Sequence, residues 1–403
     1  MNGNDRSIVG LVMVGHAMVH TYELSIPILV SVWLVEFSVT EATIGLVVTA
    51  GYALFGIGAL PGGVVADAVG SRRVIAACLL GMSGSFLALS VAPSIPVITV
   101  ALLLWGVAPS VYHPSGLSLI STGVHERGNA FAYHGIAGNA GIALGPLATT
   151  LLLIPFDWRT VVALLALPAA LGGLYALRAN VEEGAAVAAD GDGRAEPVST
   201  VAEFLAGSRA LFAGAFVGVF AVVVVSGLYY RGVLTFLPEV LADVDALSPV
   251  ALGDTTLEPA RYAYVGLLTV GMAGQYVGGR LTDRIPTEAG ITAAFGALAV
   301  LAVLFVPAAD AGLLPLVTLG AALGFTLFAV QPLYQATVAE YTPAGTRGLS
   351  YGFTYLGTFG VGAFGGTLAG AVLTYATPTA LFLSLAGVAA VGSIIGGVLY
   401  YRA

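Results

Sequence analysis

The sequence predicts an all-α integral membrane protein with twelve transmembrane helices in two pseudo-symmetric six-helix bundles, and three observations carry that expectation. Only 9% of the 403 residues are charged and 58% are hydrophobic, with mean hydropathy +0.95, whereas soluble domains carry about 25% charged residues. Apolar runs recur at the length of roughly 20 residues that a helix needs to cross a bilayer. The two halves of the chain repeat each other. A soluble enzyme with one anchor is thereby excluded. The 54 glycines and the lack of ten-residue alternation argue against an outer-membrane barrel.

Taken in order between polar or Pro/Gly breaks, spans are expected near 8–35, 42–66, 74–92, 95–121, 128–154 and 158–178, then 209–237, 259–282, 288–308, 311–340, 346–375 and 377–400. The first follows a short polar stretch ending at Ser7. It is too long for a signal-peptide core and has no clear small-residue cleavage site, so it is expected to remain as a span. The third holds the single cysteine, Cys78, in an apolar run; no intramolecular disulfide can form. Between the two sets lies 179–208, with Glu182, Glu183, Asp190, Asp192, Arg194, Glu196 and Glu203 among Gly, Ala and Pro. It reads as a flexible acidic linker between a bundle over 1–178 and another over 209–403. The other long hydrophilic stretch is Glu239 to Glu258.

All 14 basic residues are arginine, against 22 acids, so the net charge is -8 and nucleic-acid binding is disfavoured. Basic residues in short loops are retained in the cytoplasm. With the amino terminus inside, Arg6, Arg72, Arg73, Arg127, Arg178, Arg194, Arg209, Arg280, Arg284, Arg347 and Arg402 fall inside and only Arg159 and Arg261 outside. Both termini are therefore expected on the cytoplasmic side of a multi-pass protein of the cell membrane. Arg231 remains, within the seventh span.

The internal repeat is visible at three places. Gly106 to Pro114 matches Gly324 to Pro332 at an offset of 218; Arg127-Gly128 and Gly145 match Arg347-Gly348 and Gly365 at 220; Gly63 and Asp67 match Gly279 and Asp283 at 216. Parallel repeats related by an axis along the membrane normal are an arrangement of transporters with a midplane site.

The loop after span two reads Gly63-Val64-Val65-Ala66-Asp67-Ala68-Val69-Gly70-Ser71-Arg72-Arg73, and its counterpart after span eight reads Gly279-Arg280-Leu281-Thr282-Asp283-Arg284. Both resemble the cytoplasmic loop signature of the major facilitator superfamily, with departures at Ala68, Ser71 and Pro286. The resemblance implies the major facilitator fold and a conformational latch made by Gly63, Asp67, Arg72, Arg73, Asp283 and Arg284. A glycine allows close helix approach, and an aspartate at a helix end pairs with arginines or amides. In span five, Gly141, Gly145 and Pro146 put two glycines on one helix face beside a bend. This is similar to the Gly-Pro motif of superfamily exporters that exchange substrate for protons; tight helix packing alone also accounts for it. Tyr112-His113-Pro114, Arg127-Gly128, Gly138-Asn139 and Ala143 to Leu147, with His16, His20 and Pro27 in span one, resemble the fosmidomycin-resistance branch. That branch tends to carry an acid where Ser115 stands and an Asp where His20 stands.

Ionisable residues within spans are costly and usually face a cavity. His16, His20 and Glu23 share one face of span one by their i, i+4, i+7 spacing. His113 and His134 join them in the first half. Aligning Pro27 with Pro238 sets His20 opposite Arg231 by pseudo-symmetry. Candidate substrate-binding residues are Arg231, His16, His20, His113, Asn139, Gln331, Tyr334, Gln335 and Tyr355, with Gln275 and Tyr351 as further polar lining; Glu23, His20 and His113 are the candidates for proton coupling. Structural readings stand beside these: a hydrogen bond to a freed carbonyl for His113 and likewise for His134, an ion pair for Glu23 with Arg231, and packing for the tyrosines and Gln275.

The expected function is a proton-coupled secondary transporter working by alternating access, an exporter of a small organic, anionic or drug-like solute. A proton-coupled importer of an organic anion is the nearest alternative. No enzymatic role, cofactor, metal or nucleotide-binding loop is expected, and a monomer in the bilayer is. A membrane redox protein with histidine-ligated haem or metal is a different class, which four intramembrane histidines allow. A non-transporting sensor is opposed by the short termini.

Overall fold

The computed structural model describes residues 1–190, 201–253, 255–343 and 346–402. Among the described residues, ten helical segments are long and apolar enough to cross a membrane, and the pair Glu41–Ile57 and Ala59–Val69, bent by 49°, makes an eleventh. The remaining expected span is Pro259–Leu281, whose 23 residues reach about 34 Å, enough for a hydrocarbon core of about 30 Å. It is less apolar because Arg261, Gln275 and Arg280 interrupt it.

The first span runs over Gly3–Phe37 and so begins before the apolar run does. Its polar first turn is held by Asn4, whose side-chain amide donates to the carbonyls of Gly123 at 3.1 Å and Glu182 at 3.2 Å. The other spans are Ser71–Ser90, Ile95–Gly123, Arg127–Leu152, Trp158–Arg178, Phe216–Ala242, Thr287–Asp310, Leu313–Glu340, Gly348–Tyr375 and Pro378–Arg402. Trp158–Arg178 starts at a well-made cap: Asp157 accepts from the amides of Arg159 and Thr160 at 3.0 and 3.1 Å and from the Thr160 hydroxyl at 2.7 Å. The Thr160 hydroxyl and amide hold this carboxyl below the usual carboxylate range. A depressed carboxyl stabilises the fold above its ordinary range, and that contribution is lost as pH falls through the folded-state value.

The expected flexible linker is corrected at both ends. Residues 185–190 and Val201–Phe212 are helical, and the turn before them is pinned. The Glu183 carboxylate accepts from the amides of Ser71 at 2.8 Å and Arg72 at 3.0 Å, satisfying donors that a helix N-terminus leaves open just after Gly70 turns the chain at φ 95. The Thr122 hydroxyl donates to the Glu183 carbonyl at 2.6 Å. Hydropathy does not register this because the contacts are polar and distant in sequence. Asp192, Arg194 and Glu196 lie outside the described residues. In the stretch from Glu239 to Glu258, a helix ends at Ala242 and a small hairpin pairs Val250–Leu252 with Thr255–Leu257.

By contacts, the chain divides into one compact unit of 1–25 with 50–205 and another of 26–49 with 206–403. In the second unit, the Thr49 hydroxyl donates to the Ala363 carbonyl at 3.0 Å, and Thr374 links the Ala42 amide to the Glu41 carboxylate.

Glycines bring helix backbones together at equivalent places in the repeat. A Cβ on Gly106 would overlap the Gly51 carbonyl, and one on Gly324 the Leu267 carbonyl. Gly141 stands against the Ala17 carbonyl and Gly145 against Thr21, as Gly365 does against the Leu228 carbonyl. Gly141→Ala is therefore expected to lower stability by about 1–3 kcal/mol, because a backbone oxygen is what the new methyl meets. Gly84→Ala, with nothing within 4 Å of the added carbon, is expected to be neutral or stabilising. Thermal unfolding of both variants checks the pair; equal effects would contradict the packing account.

Candidate functional site

The first unit gathers a row of polar side chains on span one. Pro27 removes the helix donor for the carbonyl of Glu23, four residues earlier. The Tyr52 hydroxyl replaces it, donating to that carbonyl at 2.5 Å. The Glu23 carboxylate, 1% exposed, lies 2.6 Å from Nδ1 of His20. Nε2 of His20 lies 3.0 Å from Nε2 of His16, and Nδ1 of His16 donates to the carbonyl of His134 at 2.7 Å. The i, i+4, i+7 spacing thus produces a continuous hydrogen-bonded row.

Rings from two other spans enclose it. His134 stacks on His16 with centroids 3.8 Å apart, and His113 meets His16 edge-on at 5.3 Å and His20 at 5.9 Å. Tyr112 stacks on His16 at 5.8 Å, its hydroxyl donating to the carbonyl of Val12. Span four breaks at Val111, so His113 sits in the first turn of Tyr112–Gly123, where its ring stacks on Phe55 at 6.0 Å. Gly138 leaves the room that the His16 ring occupies; a Cβ there would overlap the ring. With Gly141 and Gly145 it makes a continuous glycine face against span one.

A nitrogen of each of His16, His20 and His113 lies within 4.8 Å of the others. Both nitrogens of His16 and both of His20 take part in the row, so ligating an ion would consume the lone pairs and hydrogens that hold the row together.

In the second unit, Arg231 is 1% exposed. Its guanidinium carbon lies 5.2 Å from the Tyr230 ring centre and 5.6 Å from that of Phe359, within cation–π range. Phe359 belongs to a π-helical stretch, Leu356–Val361, in span eleven, and Tyr355 stacks on it at 6.0 Å. Such widened turns recur at functional positions. Gln275 donates to Gln331 at 3.2 Å. Tyr334 is buried, Gln335 and Tyr351 are exposed, and Asn139 on span five is half-buried. The structure brings Arg231 and Tyr355 to one aromatic group through Phe359, and Gln275 to Gln331.

Asp67, Arg73, Asp283 and Arg284 are exposed. Arg72 donates instead to the carbonyls of Ala176 at 3.0 Å and Leu177 at 2.9 Å, closing the end of span six. The expected close approach at Gly63 is corrected: nothing lies within 4 Å of a Cβ there, while Gly62 faces Pro114 at 3.0 Å. Likewise Gly278, one residue before Gly279, faces Pro332 at 2.9 Å. Adjacent helical positions point about 100° apart, so one of each pair makes the close approach; Gly279 meets Pro332 only at 3.9 Å.

Sequence reasoning missed Tyr52, Gly138 as the slot for His16, the backbone carbonyl of His134 as the end of the row, and Phe359. The first two had a signal in Pro27 and in the glycine four residues after His134. Phe359 had none, because a π-helical turn alters which residue faces Arg231.

Residues 11–366 match the Major Facilitator Superfamily. The chain belongs to that family. The puromycin resistance protein pur8 of Streptomyces alboniger is 40% identical over 116 residues, 28% of this chain and 23% of that protein. The uncharacterised transporter YwoD of Bacillus subtilis is 28% identical over 127 residues, 31% of this facilitator and 28% of that protein. This facilitator thus spans about a quarter of the length of the curated relatives it matches. Among solved structures, a point mutant of the nucleoside transporter NupG superposes with a TM-score of 0.76 at 14% identity, covering 99% of this chain and 100% of that one. A bacterial homologue of the human lysosomal transporter Spinster gives 0.71 at 16%, covering 99% and 95%. These likenesses establish the shared fold.

Proposed function

We propose that this facilitator is a proton-coupled secondary transporter that exports a small organic solute, anionic or drug-like, by alternating access. The observation that carries the reading is the Glu23–His20–His16 row, a carboxylate and two imidazoles bonded in series within a membrane span. Intramembrane ionisable groups of this kind are retained where protons or ions move, and histidine exchanges protons near neutrality. His113 edges the row as an assisting group. Arg231 is assigned to an anionic group of the solute, with Tyr355, Gln331, Tyr334, Gln335 and Asn139 as further lining. Export is supported by the Gly145-Pro146 motif, by the puromycin resistance relative and by the resemblance to the fosmidomycin-resistance branch. An arginine serves an anion moving in either direction, so the assay must run both ways.

The test is a thermal-shift screen at two pH values, with puromycin and fosmidomycin among the compounds, followed by flux measurements in proteoliposomes under imposed pH gradients. A bound solute stabilises the fold according to its affinity. Solute flux indifferent to the gradient in both directions would overturn the proton-coupled reading.

We place both termini and the 179–208 segment on the cytoplasmic face of the cell membrane, from the arginine asymmetry, and take the monomer as the working unit. In a Cys78→Ala background, Asp190→Cys is expected to resist an impermeant thiol reagent in intact cells; labelling there would reverse the topology. Asp67, exposed near the end of the helix Ala59–Val69, is assigned with Arg73, Asp283 and Arg284 to a conformational latch. Asp67→Asn is expected to slow turnover and leave affinity unchanged; a tenfold change in Kd with normal transport would remove that assignment.

A further inference from the structure

We infer that the Glu23–His20–His16 row holds a single exchangeable proton, and that this proton is what keeps His16 and His20 in contact. The inference deepens the proton-coupled reading above and depends on it only for the link to transport.

The row contains three contacts in series: Glu23 Oε2 to His20 Nδ1 at 2.6 Å, His20 Nε2 to His16 Nε2 at 3.0 Å, and His16 Nδ1 to the His134 carbonyl at 2.7 Å. Each needs one hydrogen. The carbonyl has none to give, so His16 Nδ1 carries the hydrogen of the last contact. A carboxylate and two neutral imidazoles bring two hydrogens in all, one on each ring. The row therefore requires one more than its deprotonated groups supply. With that proton its net charge is zero, whether the proton resides as a carboxylic acid on Glu23, as an imidazolium at His20, or as an imidazolium at His16. The three forms interconvert by transfer along existing hydrogen bonds. The O–H of Glu23 breaks as an N–H forms at His20 Nδ1, and the N–H at His20 Nε2 breaks as one forms at His16 Nε2.

When the proton leaves to water, the hydrogens that remain are His20 Nδ1–H toward Glu23 and His16 Nδ1–H toward the carbonyl. The two Nε2 lone pairs then face each other at a hydrogen-bond distance, an arrangement that forfeits a bond and sets acceptor against acceptor. The contact must open. His16 is fixed by its bond to the His134 carbonyl, the stack of His134 at 3.8 Å and the slot at Gly138. His20, whose side chain is 14% exposed, is the ring free to turn. The titratable groups facing the pair are His113 and Tyr112 from span four and His134 from span five; Tyr52 from span two is bonded to the Glu23 carbonyl. Loss of the proton thus presents a new nitrogen acceptor toward His20's exposed side.

The test uses the full chain in nanodiscs with 15N-labelled histidine, following ring resonances across about pH 5 to 9 without any solute. Single histidine variants assign the signals. His16 and His20 are expected to titrate together in one single-proton step, with a hydrogen-bond coupling between their Nε2 atoms below the midpoint and none above it. In Glu23→Gln, the amide donates to His20 Nδ1 and supplies the third hydrogen permanently. The His16–His20 coupling is then expected at every pH, with no titration step. His16→Asn retains a donor for the carbonyl and removes the facing lone pair, so proton affinity at His20 and Glu23 is expected to fall about tenfold or more. Independent titration of the two rings, or an Nε2 coupling in the wild type that persists at both ends of the pH range, would overturn the inference. A single step in a protein whose flux ignores protons overturns the transport reading and leaves the row; independent steps in a proton-driven transporter do the reverse.

Discussion

Arg231→Gln is expected to abolish binding of an anionic solute while leaving the protein folded. The guanidinium is 1% exposed and lies over Tyr230 and Phe359, where its charge is desolvated and its attraction for an anion is correspondingly strong. Truncating one partner of a buried charge pair costs about 2–5 kcal/mol, a loss of roughly 30-fold to several thousand-fold in affinity. Arg231→Lys is expected to fall between wild type and Gln, because lysine keeps the charge but loses the planar fork and much of the stacking. Isothermal titration with an anionic compound from the screen measures all three proteins. Affinity unchanged in Arg231→Gln would mean that the arginine serves the packing of spans seven and eleven alone.

Glu23→Gln is expected to preserve solute binding and abolish its pH dependence. Gln keeps the shape of the side chain and offers an N–H to His20 Nδ1, reproducing the bonding of the protonated row at every pH. Proton-driven accumulation or efflux should then fall to background, while exchange of solute for solute continues. The solute's Kd, measured at two pH values in wild type and variant, gives the comparison. A variant that retains the wild-type pH dependence would move the proton site elsewhere, with His113 the next candidate because its ring edges both histidines of the row.

The spans were legible because bilayer insertion writes itself as apolar length, and the repeat because glycines that seat one backbone on another recur at matching offsets. Pro259–Leu281 was legible as a run between breaks, although its polar residues depress its hydropathy. The row was legible as spacing: His16, His20 and Glu23 share a face by helix geometry. Its termination on the His134 carbonyl was not, because a backbone acceptor leaves no mark in side-chain identity. Backbone donors are equally silent, which hid the Glu183 carboxylate as the cap on the helix after Gly70. Gly62 and Gly63 are chemically identical neighbours, so only the helix phase decides which one meets Pro114. Phe359 was hidden by the π-helical stretch, which breaks the period of 3.6 on which face assignments depend.

The most direct measurement is proton movement driven by the solute itself. Purified protein is placed in proteoliposomes with an entrapped pH dye and no initial ion gradient, and a gradient of puromycin, or of the solute that stabilises the protein most in the screen, is imposed. Wild-type protein is expected to change the internal pH in step with solute flux, and Glu23→Gln to exchange solute with no change in internal pH. Solute flux through wild-type protein with the internal pH unmoved would contradict the account.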